Sequence, residues 1–122
     1  MTSPLPTILV VDDEPGIRTM IQFELSQQGY DILTAESGAK ALEILNGRTV
    51  NLILTDMRMP QMDGLELVSR VRQILPTIPI VLMTGFVEER VRKVQEQKVS
   101  GTLNKPFTID QLAEMVRTVL GN

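Results

Sequence analysis

TILVVDDEPGIRTMIQFEL, Thr7 to Leu25, changes its hydrophobic period once, and that change carries the fold. Thr7 to Val11 is a short apolar run rich in β-branched residues, which favours a strand. Pro15 suits the first turn of a helix, where its fixed φ and missing N–H cost nothing. After it, Ile17, Met20, Ile21 and Leu25 recur at helical spacing on one face. Three acids, Asp12, Asp13 and Glu14, stand at the junction. The stretch reads as one strand–helix unit with carboxylates at the strand's carboxyl end.

The same unit recurs along the chain. Tyr30 to Ala35, Asn51 to Thr55, Ile80 to Met83 and Val99 to Asn104 are the further strand candidates. Between and after them lie four more helical stripes. They are Ala41, Leu42 and Leu45; Leu65, Val68, Val71 and Leu75; Val87, Val91 and Val94; and Ile109, Leu112, Ala113, Val116 and Leu120. Asp63 with Glu66, and Thr108 with Gln111, fit helix starts. Gly29 and Gly47 read as helix stops. Strands alternating with helices imply a parallel sheet covered on both faces. Inner strands of such a sheet are apolar on both sides. Ile8 to Val11, Leu52 to Leu54 and Ile80 to Met83 meet that condition. The second and fifth candidates, with Asp31, Ser100 and Asn104, do not. Strands 1, 3 and 4 are therefore expected in the centre and 2 and 5 at the edges. A flavodoxin-like, doubly wound α/β fold, (βα)5 with strand order 2-1-3-4-5, satisfies this. Residues 1–6 read as a flexible lead-in and residues 7–121 as one domain.

Composition narrows the chemistry. The 122 residues carry a net charge of −3, and the positive charges are scattered, which argues against a nucleic-acid surface. With no cysteine and no histidine, thiolate chemistry, disulfides, imidazole ligands and a histidine base are excluded from these residues. No apolar run approaches the ~20 residues a membrane helix needs. Met1 to Thr7 has two prolines and no basic residue, unlike a signal peptide. We expect a cytoplasmic protein with no membrane partner.

Parallel α/β sheets bind ligands at the carboxyl ends of their strands. There the sequence offers Asp12, Asp13, Asp56, Thr84 and Lys105. If strands 1 and 3 are neighbours, three carboxylates converge, and they stay ionised together only beside a cation. Mg²⁺, with oxygen ligands and a liking for phosphate, is the expected ion. Lysine, hydroxyl and a carboxylate nucleophile suit phosphoryl transfer. Asp63 reads as a helix cap rather than a site residue. Met57, Met59 and Met62 read as loop packing, and Glu88 to Lys98 as a solvated, mixed-charge face.

Four pieces, in this order, carry a family resemblance: Val10-Val11-Asp12-Asp13-Glu14, Asp56-Met57-Arg58-Met59-Pro60-Gln61-Met62-Asp63-Gly64, Met83-Thr84-Gly85 and Lys105-Pro106-Phe107. From about Thr7 to Leu120 the chain resembles the receiver domain of two-component response regulators. The resemblance implies Asp56 as phosphoacceptor. It implies Asp13 as direct Mg²⁺ ligand, Asp12 as ligand directly or through water, and the Arg58 backbone carbonyl as third protein ligand. It implies Thr84 as the switch hydroxyl, Lys105 as the phosphoryl-binding ammonium, and a cis Lys105–Pro106 bond. The phosphoryl group would come from a sensor histidine kinase or histidine phosphotransfer protein. A shift of the fourth and fifth helices and fifth strand would then control an output protein or domain. Phosphorylation and autodephosphorylation of its own aspartate, without turnover of an external substrate, would be its chemistry. The family's switch aromatic, three residues before the lysine, is replaced here by Thr102.

Three rival readings can be set against this pattern residue by residue. A dehalogenase-like phosphatase needs a second aspartate two residues after the nucleophile, where this chain has Arg58. A receiver-like module that only binds partners would not need the acidic pair, Asp56 and Lys105, whereas Thr102 at the switch position is compatible with it. A flavodoxin proper needs a Ser/Thr/Gly-rich loop after strand 1, where acids here would repel the flavin phosphate.

Overall fold

The computed structural model describes residues 4–85 and 99–121. Five parallel strands, β1 (Thr7–Val11), β2 (Asp31–Ala35), β3 (Leu52–Asp56), β4 (Ile80–Thr84) and β5 (Gly101–Asn104), form one sheet in the order β2-β1-β3-β4-β5. Among the described residues there are four helices: α1 (Pro15–Gln27), α2 (Gly38–Gly47), α3 (Gly64–Ile74) and α4 (Ile109–Leu120). The helical stripe expected at Val87, Val91 and Val94 and the charged face expected at Glu88 to Lys98 lie outside the described residues.

Strand period two sorts the core into two layers. Ile8, Val10, Leu52, Leu54, Val81 and Met83 face α1 and α4. Leu9, Val11, Ile53, Ile80 and Leu82 face α2 and α3. Every residue of β3 and β4 is buried, whereas β2 and β5 are each only partly buried. The centre and edges are thus where the apolar runs placed them. Leu112 and Val116 of α4 are fully buried, each contributing roughly 1.5–3 kcal/mol.

Local chemistry sets the boundaries. α1 ends in a Schellman turn: Gly29 adopts φ 96°, its N–H donates to Ser26 O, and Tyr30 N–H donates to Leu25 O. Tyr30 is consumed by that turn, so β2 begins at Asp31 rather than Tyr30. Gly47 is not the stop expected of it. It is the last residue of α2, and the helix ends because Arg48 turns extended at φ −135°. Asp63 caps α3 by accepting from Glu66 N–H, and Thr108 with Gln111 forms a full capping box on α4. Arg72 donates to Ile78 O at 2.6 Å and so ties the end of α3 to the approach to β4. Strands β3 and β4 each run one residue beyond the expected ends at Thr55 and Met83, which makes Asp56 and Thr84 strand residues. β5 starts at Gly101, two residues later than expected. No helix among the described residues is long and apolar enough to cross a membrane.

Candidate phosphoryl-transfer site

The sheet order reverses direction between β1 and β3, and the crevice opened there lies at the strands' carboxyl ends. Val11 pairs in register with Ala35 on one side and Thr55 on the other. Asp12 therefore follows directly beside Asp56. Its N–H continues the ladder to Ala35 O at 3.1 Å, and its side chain is fully buried. Asp13, the next residue, is exposed. One oxygen from each of Asp12, Asp13 and Asp56 lies within 4.8 Å of the others.

Lys105 reaches this cluster from the far end of the chain. Its N–H continues β5 by donating to Thr84 O at 2.7 Å. Its Nζ stands 3.1 Å from both Asp12 Oδ2 and Asp56 Oδ1. The Lys105–Pro106 peptide is cis. Asp12 Oδ1 accepts from Glu14 N–H at 2.9 Å, and Arg18 donates to the Asp12 carbonyl at 2.7 Å. Both carboxylate oxygens of Asp12 are thus engaged. Thr84 is buried, one residue past Met83, which pairs in register with Asp56.

The loop from Met57 to Gly64 carries Arg58. It is closed at its base by Gly64 N–H donating to Met57 O at 2.8 Å. At its tip, Met62 N–H donates back to Pro60 O at 2.7 Å, and Gln61 between them has φ 70°. A three-residue turn of this hand costs a non-glycine residue about 1–3 kcal/mol, and persists where surrounding packing enforces it.

Three carboxylates against one ammonium leave two negative charges uncompensated by this lysine. Burial, then the Asp12 charge, push the Asp56 carboxyl above its ordinary value, against the opposing pull of Lys105 and Met57 N–H. Burial alone would lower the Lys105 ammonium. Hydrogen bonds and charge from Asp56 and Asp12 outweigh it and raise the group. The all-oxygen donor set and excess negative charge fit a hard divalent cation such as Mg²⁺.

Asp56 gives the chain a pH signature. Its folded value lies above the unfolded one, so between the two the folded chain binds more protons. Its stability contribution is full below the ordinary carboxylate value and is lost as pH rises through the raised value. Asn does not titrate. Without divalent cation, Asp56→Asn should gain stability over the wild type as pH rises across that window and keep the advantage at neutrality. Urea denaturation of both proteins at about pH 4 and about pH 7 reads the difference; a pH-independent difference would contradict it.

The structure brings together Asp12, Asp13, Asp56 and Lys105 and puts Thr84 at the end of the next strand. Sequence reasoning missed Arg18 as a brace on Asp12, and it missed Gly64. A Cβ on Gly64 would lie 2.5 Å from Asp56 O and 3.0 Å from Met57 Cα. Its only advance signal was a glycine standing directly after a helix-capping Asp63.

The family model described as the response regulator receiver domain matches residues 8–117. Transcriptional regulatory protein GlrR of Escherichia coli (strain K12) is 36% identical over 115 residues, 93% of this chain and 26% of that protein. The chain thus spans about a quarter of that relative. Sporulation initiation phosphotransferase F of Bacillus subtilis (strain 168) is 36% identical over 116 residues, 93% of this chain and 92% of that protein. Among solved structures, response regulator protein TrrA from Thermotoga maritima, in complex with Mg²⁺-BeF, superposes with a TM-score of 0.86. It is 34% identical, over 94% of this chain and 99% of that one.

Proposed function

The chain belongs to the response regulator receiver domain family, whose role is phosphorylation-dependent signalling, and from that premise we propose that Asp56 accepts the phosphoryl group. The observation that carries this reading is Lys105 Nζ at 3.1 Å from Asp56 Oδ1, at the carboxyl end of a central strand and beside two further carboxylates. The domain runs over residues 7–121. It works as a signalling module, without turnover of an external substrate.

An oxygen of ionised Asp56 attacks the phosphorus of a phosphohistidine. The O–P bond forms as the P–N bond breaks, and the imidazole leaves. These residues contain no histidine, so the donor is a sensor histidine kinase or histidine phosphotransfer protein outside them. Lys105 keeps Asp56 ionised and then pairs with a phosphoryl oxygen. Asp13, exposed, is the direct metal ligand. Asp12, engaged through both carboxylate oxygens, acts directly or through water, and Asp56 and the Arg58 carbonyl complete the protein ligands. Mg²⁺ bound there supplies the charge neutralisation that phosphoryl transfer requires. In autodephosphorylation, water attacks phosphorus, the O–P bond breaks, and Asp56 and inorganic phosphate are released.

An apolar cleft of about 390 Å³ lined by Ile17, Met20, Lys105, Pro106 and Phe107 adjoins the site. Lys105 belongs to both, so a donor seated on that cleft sits next to Asp56. Thr84 is the switch hydroxyl. Drawn toward the phosphoryl group, it moves the end of β4, and Lys105, hydrogen-bonded to Thr84 O, carries β5 and α4 with it toward an output protein or domain. No ring at Thr102 takes part.

Thermal melts with and without Mg²⁺ test the cation. At a concentration about a hundred times Kd, binding stabilises the wild type by about 2.7 kcal/mol. Asp13→Asn should lose most of that gain. An unchanged response in Asp13→Asn, or none in the wild type, would remove the cation from this reading.

A further inference from the structure

Met62 lies in a notch that exists because residue 38 has no side chain. A Cβ on Gly38 would stand 2.5 Å from Met62 Sδ, 3.1 Å from its Cγ and 3.2 Å from its Cβ. The thioether arm therefore runs directly across the backbone at the start of α2. Gly38 is buried, and Ser37, capping α2 through Lys40 N–H, fixes that backbone in place. Around this contact the start of α2 and the Met57–Gly64 loop are parted by a cleft of about 120 Å³, lined in part by Ser37, Pro60, Gln61 and Glu66. Met62 bridges the two sides.

The loop it anchors is under strain. Gln61, immediately before Met62, is in the left-handed region, within the three-residue turn closed on Pro60 O. Such a turn needs outside packing to hold it. The base of the loop is held by Gly64 and Met57, and its tip by Met62 on Gly38. Arg58 lies between these two anchors.

We propose that Met62 is a positioning residue for the metal site, its seat on Gly38 holding the loop so that the Arg58 carbonyl is presented to the cation. The inference rests on the reading of that carbonyl as a ligand. Mg²⁺ demands near-ideal geometry and tolerates displaced ligands poorly. Residues that orient ligands from behind commonly govern metal affinity.

Calorimetric titration of the full chain with MgCl₂ tests it, using wild type, Gly38→Ala, Met62→Ala, Met62→Leu and the Gly38→Ala/Met62→Ala double variant. Gly38→Ala and Met62→Ala should each weaken Mg²⁺ binding by about tenfold. The double variant should bind no more weakly than Gly38→Ala alone, because both changes break one contact. Met62→Leu, of similar volume, should stay within about twofold of wild type. If Gly38→Ala does not fold, a clear affinity difference between Met62→Ala and Met62→Leu supports the inference, and equal affinities overturn it. Single variants that melt lower yet bind Mg²⁺ as wild type does would overturn the positioning role alone. A wild type that binds no Mg²⁺ would overturn both the metal site and this role.

Discussion

Lys105→Met is expected to destabilise the chain by about 3 kcal/mol in the absence of divalent cation. Lys105 is the one residue whose ammonium reaches both Asp12 and Asp56 among the described residues, at 3.1 Å each, and Asp12 is fully buried. Methionine keeps much of the apolar stem and removes the charge, so the loss reads electrostatics rather than packing. Breaking a buried ion pair by deleting one partner leaves a desolvated charge uncompensated, which is worse than never having had the pair. Asp56 limits the damage, since its carboxyl is already pushed upward and can take a proton. Mg²⁺ should recover part of the loss by replacing the missing positive charge. Urea denaturation with and without MgCl₂ measures both effects. A destabilisation below about 0.5 kcal/mol would mean that the carboxylates are compensated by groups other than Lys105.

Gly64→Ala is expected to cost about 2–4 kcal/mol and to slow phosphorylation. Alanine is otherwise the better helix residue by up to about 1 kcal/mol, so a net loss isolates the clash. The added Cβ would meet Asp56 O and Met57 Cα, both backbone atoms that cannot swing aside. Relief requires moving the end of β3, which carries the Asp56 carboxylate. Gly16 in α1 is the control, because a Cβ there meets nothing within 4 Å. Gly16→Ala should be neutral or slightly stabilising. Equal melting temperatures for the two variants would show that the approach at Gly64 is not tight.

Much of this fold could be read from residue order because its inner strands are buried on both sides. Ile8 to Val11, Leu52 to Leu54 and Ile80 to Met83 are apolar without a break, and their short length and β-branched content favour strands over helix. The fifth strand was harder, since Gly101 and Asn104 have little strand character and an edge position asks for little. Gly29 acts as a stop through its left-handed conformation. Gly47 looked the same in sequence but sits inside its helix, because the path of the next few residues decides which φ a glycine adopts. The carboxylate cluster was foreseeable once strands 1 and 3 were neighbours. That Lys105 would bridge to Asp12, 93 residues away, and not to Asp56 alone, was not, because side-chain reach depends on the path of the Lys105–Pro106 turn. The tightness of the seats at Gly64 and Gly38 was not legible either, for each is a close approach made only when the chain folds back on itself.

Everything proposed for this site depends on Asp56 taking a phosphoryl group with the help of a divalent cation. Intact mass after incubation with acetyl phosphate decides it, with and without Mg²⁺, for wild type and Asp56→Asn. A Mg²⁺-dependent gain of a single phosphoryl group is expected in the wild type and none in the variant. A wild type that gains nothing, or a variant that gains as much, would refute the assignment.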